Sequence, residues 1–186
     1  MNKDTGEYEE LVTLASSEYR MWVDYAEIPE HVEHAVVAIE DKRFYEHQGV
    51  DWYRTSGAFV NMFLGMKNTF GGSTITQQLA KNLFPRDTTH YSSKVARTGK
   101  LVVAKFKEWI TAVKLEHNYT KDEIVAMYFN TMNYGSNAVG IKSAAQVYFS
   151  TTPEALKLEE AAMLVGMCKN PALYNPRRRP ENALNR

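Results

Sequence analysis

Apolar side chains recur along most of this chain at intervals of three and four residues, the spacing of one face of an α-helix. After Pro29, which suits a first helical turn, they occupy positions 32, 35, 36 and 39. A second dense apolar stripe covers 55–66. Residues 19–25 instead alternate between large apolar and polar side chains, the pattern of a half-buried strand. The patterns predict a mainly α-helical domain with little β-structure.

Two predicted helices begin with capping signals. Thr74 and Gln77 have the spacing of a capping box and predict a helix to about Leu83. Thr120 and Glu123 repeat that pattern before a helix of about ten residues.

The second half of the chain is also predicted to be helical. Residues 85–99 are polar and weakly patterned, and we expect a loop there. A long helix should follow, and two more are expected near 138–149 and 153–167. The stripe predicted to be buried on the long helix consists of Val102, Phe106, Trp109, Ile110 and Val113.

Composition and charge narrow the classes of protein that this chain can be. The 186 residues are 44% hydrophobic and 24% charged, which is typical of a globular domain and excludes a disordered chain. The 22 basic and 22 acidic residues balance, so no nucleic-acid partner is expected. The single cysteine, Cys168, lies in an apolar run and is predicted to be buried. The uncharged stretches 55–66 and 68–80 are shorter than the ~20 residues that span a bilayer, so no membrane-crossing segment is expected.

The first candidate site is 40–49, where acidic, basic and aromatic side chains crowd the end of a predicted helix. Glu40 has apolar Ile39 behind it and aromatic rings nearby, and partial desolvation there would suit a general base. A solvated charge cluster is the alternative interpretation. His47 is predicted to be a hydrogen-bonded structural histidine, because no second His or Cys stands at metal-ligand spacing.

The second candidate site is 71–82, where a glycine turn leads into a polar helix start. The free N–H groups and the positive dipole end of such a helix attract phosphate, and Lys81 adds a cation. The spacing of a Walker phosphate loop is absent. The alternative is a plain capped helix whose solvated face carries Gln77, Gln78 and Lys81.

The third candidate group lies on the long predicted helix, where Lys105 and Glu108 are three residues apart and Lys107 is beside them. Such a pattern is usually a surface salt bridge. Together with Glu40, Glu108 would supply the second of two carboxylates from separate elements, which is the minimum apparatus of glycosyl chemistry. Cations alongside would suit a diphosphate leaving group.

These segments, in this order, resemble the family 51 glycosyltransferase domain of bacterial peptidoglycan polymerases, the class A penicillin-binding proteins and the monofunctional glycosyltransferases. The first resembling motif is Glu40-Asp41-x-x-Phe44-x-x-His47-x-Gly49. The second runs over 71–82, nearly letter for letter, and Lys105-x-x-Glu108 is similar to the third. The resemblance extends from about residue 19 to the C-terminus.

The chain departs from the family pattern in three places. Ala104 stands where the third motif normally has Arg, and Lys100 or Lys107 is a candidate to replace that cation. Asn133 stands where the fourth motif usually has Tyr, and the stretch 83–104 is longer than the family leads us to expect.

For the fold, the resemblance implies one domain over 1–186, with a lysozyme-like helical lobe and a smaller membrane-facing jaw at about 50–70. Residues 1–18 would form an N-terminal segment, and a transmembrane anchor and any transpeptidase domain would lie outside this chain. The lipid-facing residues would be Phe59, Met62, Phe63 and Met66, with core packing as the alternative for each.

For activity, the resemblance implies polymerisation of lipid II into β-1,4-linked glycan strands, with inversion and release of undecaprenyl diphosphate. Glu40 and Glu108 would be the catalytic residues, Glu40 as general base and Glu108 organising the diphosphate, directly or through a divalent cation, for which Mg²⁺ is expected. No organic cofactor is implied. The implied substrate-binding residues are Asp41, Phe44, His47, Ser73, Thr74, Gln77, Gln78, Lys81, Asn82, Lys100, Lys105 and Lys107.

The resemblance also implies a location and partners. The domain would act at the extracytoplasmic face of the bacterial cell membrane, on lipid II and the growing lipid-linked strand, with a fused or separate transpeptidase. Two other functions stay open at this point. A lysozyme-like peptidoglycan hydrolase would use Glu40 as a general acid, and a catalytically degenerate lipid II scaffold would fit the departures at Ala104 and Asn133.

Overall fold

The computed structural model describes residues 19–63, 72–85 and 94–186, and their side chains except those of 19–20, 58–63 and 94–98. The mainly α-helical fold class predicted from the sequence is confirmed. The helices of the described ranges are α1 (Glu30–Glu40), α2 (Trp52–Phe63), α3 (Ile75–Leu83), α4 (Lys94–Asn118), α5 (Lys121–Thr131), α6 (Ile141–Phe149), α7 (Leu158–Cys168) and α8 (Pro180–Leu184). Short 3-10 helices cover Tyr25–Glu27, Phe44–Glu46 and Pro153–Ala155.

The β-structure of the described residues is one short parallel pair, β1 (Tyr19–Arg20) with β2 (Ala138–Val139). The strand predicted over 19–25 ends early because Val23 pairs with a side chain instead of a strand. Its N–H donates to Asn130 Oδ1 at 2.9 Å, and Asn130 Nδ2 donates to the Val23 carbonyl at 2.8 Å. A buried amide thus satisfies both backbone groups of Val23.

The two capped helices begin where the sequence predicts. Thr74 caps α3, its hydroxyl oxygen accepting from the Gln77 N–H at 3.1 Å. Thr120 forms a full capping box with Glu123 at the start of α5. Other boundaries differ, since α4 begins at Lys94, inside the predicted loop, and 86–93 lie outside the described residues.

The predicted C-terminal helices are also shorter than expected. The segment predicted as helix from 138 opens with β2, and α6 begins only after Gly140, whose φ of +86° breaks the helical path. The segment predicted over 153–167 divides into a 3-10 turn and α7.

The hydrophobic core lies among α1, α3, α5, α6 and α7. Cys168 belongs to it, which confirms the prediction of a buried thiol. The largest fully buried side chains include Tyr128, Tyr134, Phe44, Phe129, Ile75 and Leu79. This core fixes the end of α1 and the start of α3, where Glu40, Gln77 and Gln78 of the candidate site are found.

The prediction of a buried stripe on α4 is wrong. Val102, Phe106, Ile110 and Val113 are between 45% and 58% exposed, and we call these four residues the α4 apolar face. The face of α4 that packs inward carries Glu108, Ala112 and the partly buried Leu115. A carboxylate, an alanine and one leucine therefore make the inward contact, and the four side chains of the α4 apolar face point outward.

Candidate active site

Helix α3 joins the two halves of the candidate site. Its first turn presents Gln77 and Gln78 as neighbours, about 100° apart around the helix axis. Gln78 Nε2 donates to Glu40 Oε2 at 3.0 Å. Gln77 Oε1 accepts from Lys105 Nζ at 3.1 Å. One helical turn thus contacts Glu40 on one side and the cluster around Glu108 on the other.

Glu40 is the last residue of α1, and each oxygen of its carboxylate has a partner. Gln78 donates to Oε2, and Arg186 Nη2 lies 3.3 Å from Oε1. The Glu40 side chain keeps 13% of its surface exposed. Each carboxylate oxygen has two lone pairs, so both oxygens retain an acceptor site. The arrangement is an oriented and reachable carboxylate that can take a proton from a bound hydroxyl.

Lys105 is the centre of the second half of the site. Its ammonium group donates to Ser73 Oγ at 2.7 Å, to Gln77 Oε1 at 3.1 Å and to Glu108 Oε2 at 3.2 Å. Glu108 itself is buried. The predicted pair of Lys105 and Glu108 is therefore an inward-facing ion pair at the start of α3 and not a surface salt bridge.

Asp41, Phe44 and His47, which the resemblance implies as substrate-binding residues, are all buried. Asp41 accepts from the Ile75 N–H at 3.0 Å and lies 3.0 Å from His47 Nε2 and 3.4 Å from Arg54 Nη1. These contacts compensate for the desolvation of the Asp41 carboxylate, and they connect the loop after α1 to the start of α3. The prediction that His47 is a hydrogen-bonded structural histidine is confirmed.

Thr74 and Gln77, two more of the implied substrate-binding residues, are likewise buried. The Thr74 hydroxyl donates to the Gly49 carbonyl at 2.7 Å, and Gln77 Nε2 donates to the same oxygen at 3.3 Å. Both side chains hold the loop in place beneath the site.

The remaining implied substrate-binding residues occupy more open positions. Lys81, Lys100 and Lys107 are exposed, and Ser73, Gln78 and Lys105 are half-buried. Asn82 is half-buried and donates to the Met132 sulfur at 3.2 Å. These side chains are placed where a substrate can reach them.

The lipid-facing prediction falls largely outside what the structure describes. Phe59, Met62 and Phe63 belong to α2, but their side chains lie outside the described set, and Met66 lies outside the described residues. The α4 apolar face is one exposed apolar surface that the structure does describe. Next to it, Trp109 contacts Phe106 and Trp52, with ring centroids 5.0 and 5.8 Å apart.

Three residues that contact this site carry no signal in the sequence. Arg54 Nη1 donates to the Glu40 carbonyl at 3.0 Å, and Arg186 approaches the Glu40 carboxylate. The Tyr128 hydroxyl donates to Gln78 Oε1 at 3.4 Å. No local pattern marks them, because each reaches the site from a segment distant in sequence.

A metal ion would need ligands beyond the side chains described. Among those residues, no group of three His, Cys, Asp or Glu side chains could hold one. Mg²⁺ is commonly bound by one or two carboxylates together with substrate phosphates. Glu108 fits that role only as a ligand shared with a bound diphosphate.

Comparison with known proteins adds an independent observation. Residues 7–186 match the family model described as Transglycosylase. Penicillin-binding protein 1A of Neisseria gonorrhoeae is 40% identical over 174 residues, which cover 94% of this chain and 20% of that protein. Penicillin-binding protein 1A of Aquifex aeolicus (strain VF5) is 42% identical over 168 residues, or 90% of this chain and 22% of that protein.

A relative from a third organism shows a similar identity and coverage. Penicillin-binding protein 1A/1B of Bacillus subtilis (strain 168) is 40% identical over 173 residues, which cover 92% of this chain and 18% of that protein. The chain thus spans about a fifth of the length of the curated relatives it matches.

Proposed function

Because this chain belongs to the transglycosylase family and is a peptidoglycan glycosyltransferase domain, we propose that it polymerises lipid II, a disaccharide joined through a diphosphate to a polyprenyl chain. The observation that carries the proposal is the position of Glu40. Its carboxylate is reachable, has an oriented partner, and is joined through a single turn of α3 to the Lys105–Glu108 pair.

In the proposed reaction, Glu40 takes the proton of the acceptor's sugar 4-hydroxyl as that oxygen attacks the anomeric carbon of the donor. The new bond joins the acceptor oxygen to the anomeric carbon, and the bond from that carbon to the diphosphate breaks. The electron pair leaves with the diphosphate oxygen. A single displacement inverts the anomeric centre, so an α-linked donor gives a β-1,4 link.

The developing negative charge on the diphosphate needs cations. Lys105 lies at the start of α3, where the helix dipole also favours an anion. The exposed Lys81, Lys100 and Lys107 are further candidates for contacts with the diphosphate. We assign Glu108 to hold Lys105 in place and, where a divalent cation such as Mg²⁺ takes part, to share it with the diphosphate.

The α4 apolar face supports a position at a membrane surface. Exposed Val102, Phe106, Ile110 and Val113 would be shielded from water by lipid, which also carries the polyprenyl tail of the substrate. No helix of the described ranges is long and apolar enough to cross a bilayer. We therefore propose peripheral contact by this domain at the extracytoplasmic face of the bacterial membrane.

We also propose a transpeptidase, fused or separate, as a partner, because the longer relatives are named penicillin-binding proteins. Labelling of the full-length protein with a fluorescent penicillin tests this part of the proposal. A full-length protein that takes up no label would speak for a separate partner.

The proposal is tested by replacing the two carboxylates and assaying labelled lipid II in detergent, with and without Mg²⁺. Glu40→Gln keeps the shape of the side chain but removes the base, and we expect turnover to fall by about 10²- to 10⁴-fold. Glu108→Gln should also lower turnover, because it weakens the restraint on Lys105.

The matched control is Glu46→Gln, which changes an exposed carboxylate of the same loop that pairs with Arg43. Its turnover should stay within about twofold of the unmodified protein. More than half the normal turnover in Glu40→Gln would remove Glu40 from the role of base. Binding of lipid II without polymer would favour a scaffold, and soluble muropeptides from finished peptidoglycan would favour a hydrolase.

A further inference from the structure

Three helices meet at the side chain of Gln78. Gln78 lies on α3, Glu40 ends α1, and Tyr128 lies on α5. Gln78 Nε2 donates to Glu40 Oε2 at 3.0 Å, and Gln78 Oε1 accepts from the Tyr128 hydroxyl at 3.4 Å. The Gln78 amide thus connects a fully buried phenol to the carboxylate proposed as general base.

The direction of these two hydrogen bonds is determined by the chemistry of the groups. An ionised carboxylate only accepts, so the amide nitrogen of Gln78 must face Glu40 and its oxygen must face Tyr128. Burial raises the pKa of Tyr128 well above its usual value, so the phenol keeps its proton and donates. Both donors therefore point toward Glu40, and hydrogen bonds in such a chain strengthen one another.

A general base must be aligned before the substrate arrives. A side-chain amide can rotate so that its oxygen and nitrogen exchange places, and a rotated Gln78 would turn an oxygen toward the carboxylate. Tyr128 opposes this rotation because its O–H donates to the amide oxygen, and this hydrogen bond would be lost if the nitrogen took that place. The Gln78 amide in turn restrains the Glu40 side chain, which is at the exposed end of α1.

We propose that Tyr128 is a positioning residue that acts through the Gln78 amide to hold the Glu40 carboxylate in the orientation needed for proton transfer. This inference rests on the proposed function, in which Glu40 is the base. It assigns a role in the reaction to a core residue that contacts no substrate.

The test is Tyr128→Phe, which removes one buried hydroxyl and keeps the ring. We expect kcat to fall by about five- to tenfold and KM for lipid II to stay within about twofold, because alignment is lost and binding is not. The matched control is Tyr134→Phe. Tyr134 is equally buried, and its hydroxyl accepts from Cys168 Sγ at 3.8 Å, a thiol that Tyr128 also contacts. The variant therefore controls for the loss of a buried hydroxyl beside that thiol. This control should keep its kcat within about twofold.

A double-mutant cycle separates positioning from a general effect on the core. In a Gln78→Leu background, Tyr128→Phe should cost less than twofold in kcat, because the connecting amide is already gone. Equal losses in Tyr128→Phe and Tyr134→Phe, or an undiminished loss in the Gln78→Leu background, would overturn the inference. Glu40→Gln is assayed in the same experiment. If this variant stays active, the proposed function of Glu40 as base is wrong. If it is inactive, the double-mutant cycle tests the role of Tyr128 separately.

Discussion

The sequence and the structure lead to different interpretations of Lys105. From the sequence it is one of several cations near a predicted phosphate site. In the structure its ammonium group donates to Ser73, Gln77 and Glu108. A lysine ammonium has three N–H donors, so these contacts match its full capacity. A diphosphate that binds Lys105 must therefore share it with an acceptor already in place.

Cys168 gives a prediction at this scale that concerns pH. Burial raises the pKa of the Cys168 thiol to about 12, from an ordinary value of 9.0. The folded state therefore favours the neutral thiol, and this contribution to stability is complete below about pH 9. Above pH 9 the unfolded chain ionises and the folded chain does not, so stability falls as pH rises toward 12, by up to ~1.4 kcal/mol per pH unit.

The measurement is urea unfolding at pH 8.5 and pH 10 for the unmodified protein and for Cys168→Ala. The variant is less stable at pH 8.5 because it leaves a cavity, but the difference should shrink by about 1 kcal/mol at pH 10. Other ionisations affect both proteins and cancel in the difference. Two stability curves that stay parallel over this range would contradict the assignment.

Single residues also show what the sequence could predict of the site. Glu40, Glu108 and Lys105 can be selected in advance because their residue types suit the chemistry. The inward role of Asp41 depends on burial and on partners from other elements, such as the Ile75 N–H. Spacing along the chain does not contain that information.

Among the elements, the two helix starts that carry a cap agree with the prediction, whereas the starts of α4, α6 and α7 and the inward face of α4 do not. The caps at Thr74 and Thr120 involve residues three positions apart, so the sequence contains the whole interaction. The inward face of α4 is determined instead by the loop against which it packs. Gly49 of that loop lies so close to α4 that a Cβ would clash with the backbone of Ala112. Only a small or polar helix face permits such a close approach.

Gly49 therefore gives a prediction at the scale of the loop and α4. Its φ is +87°, and a Cβ would lie 2.7 Å from the carbonyl carbon and oxygen of Ala112. We expect Gly49→Ala to lower the free energy of unfolding by ~2–4 kcal/mol, because it combines backbone strain with a clash against backbone atoms. It should also lower turnover, since the Gly49 carbonyl binds Thr74 and Gln77.

The matched control is Gly57→Ala on α2, where a Cβ would have no neighbour within 4 Å. Alanine favours helix over glycine, so this variant should be more stable by ~0.5–1 kcal/mol. Thermal and urea unfolding of both variants decide the matter. A Gly49→Ala protein as stable as the unmodified one would mean that the loop does not lie against α4.

At the scale of the whole molecule, α3 is the common element of core and site. It packs on both α4 and α5, its cap holds the loop after α1, and its first turn contacts Glu40 and Lys105, the partner of Glu108. The sequence predicts α3 and its cap but not which helices surround it, because those contacts come from segments far apart in the chain. For the same reason, the sequence pattern wrongly predicts that the α4 apolar face belongs to the core.

The last prediction concerns that face and the membrane. If lipid covers the α4 apolar face, Phe106→Ser with Ile110→Ser should weaken binding to vesicles of phosphatidylglycerol and phosphatidylcholine. Each side chain is about half exposed, so lipid would bury only part of it, and the loss for the pair should be ~2–3 kcal/mol, or roughly 30- to 160-fold in the partition coefficient. Leu158→Ser, on the exposed start of α7, is the matched control and should bind as the unmodified protein does. Sedimentation with vesicles measures all three proteins. Unchanged binding by the double variant, or an equal loss in Leu158→Ser, would show that this face does not meet the lipid.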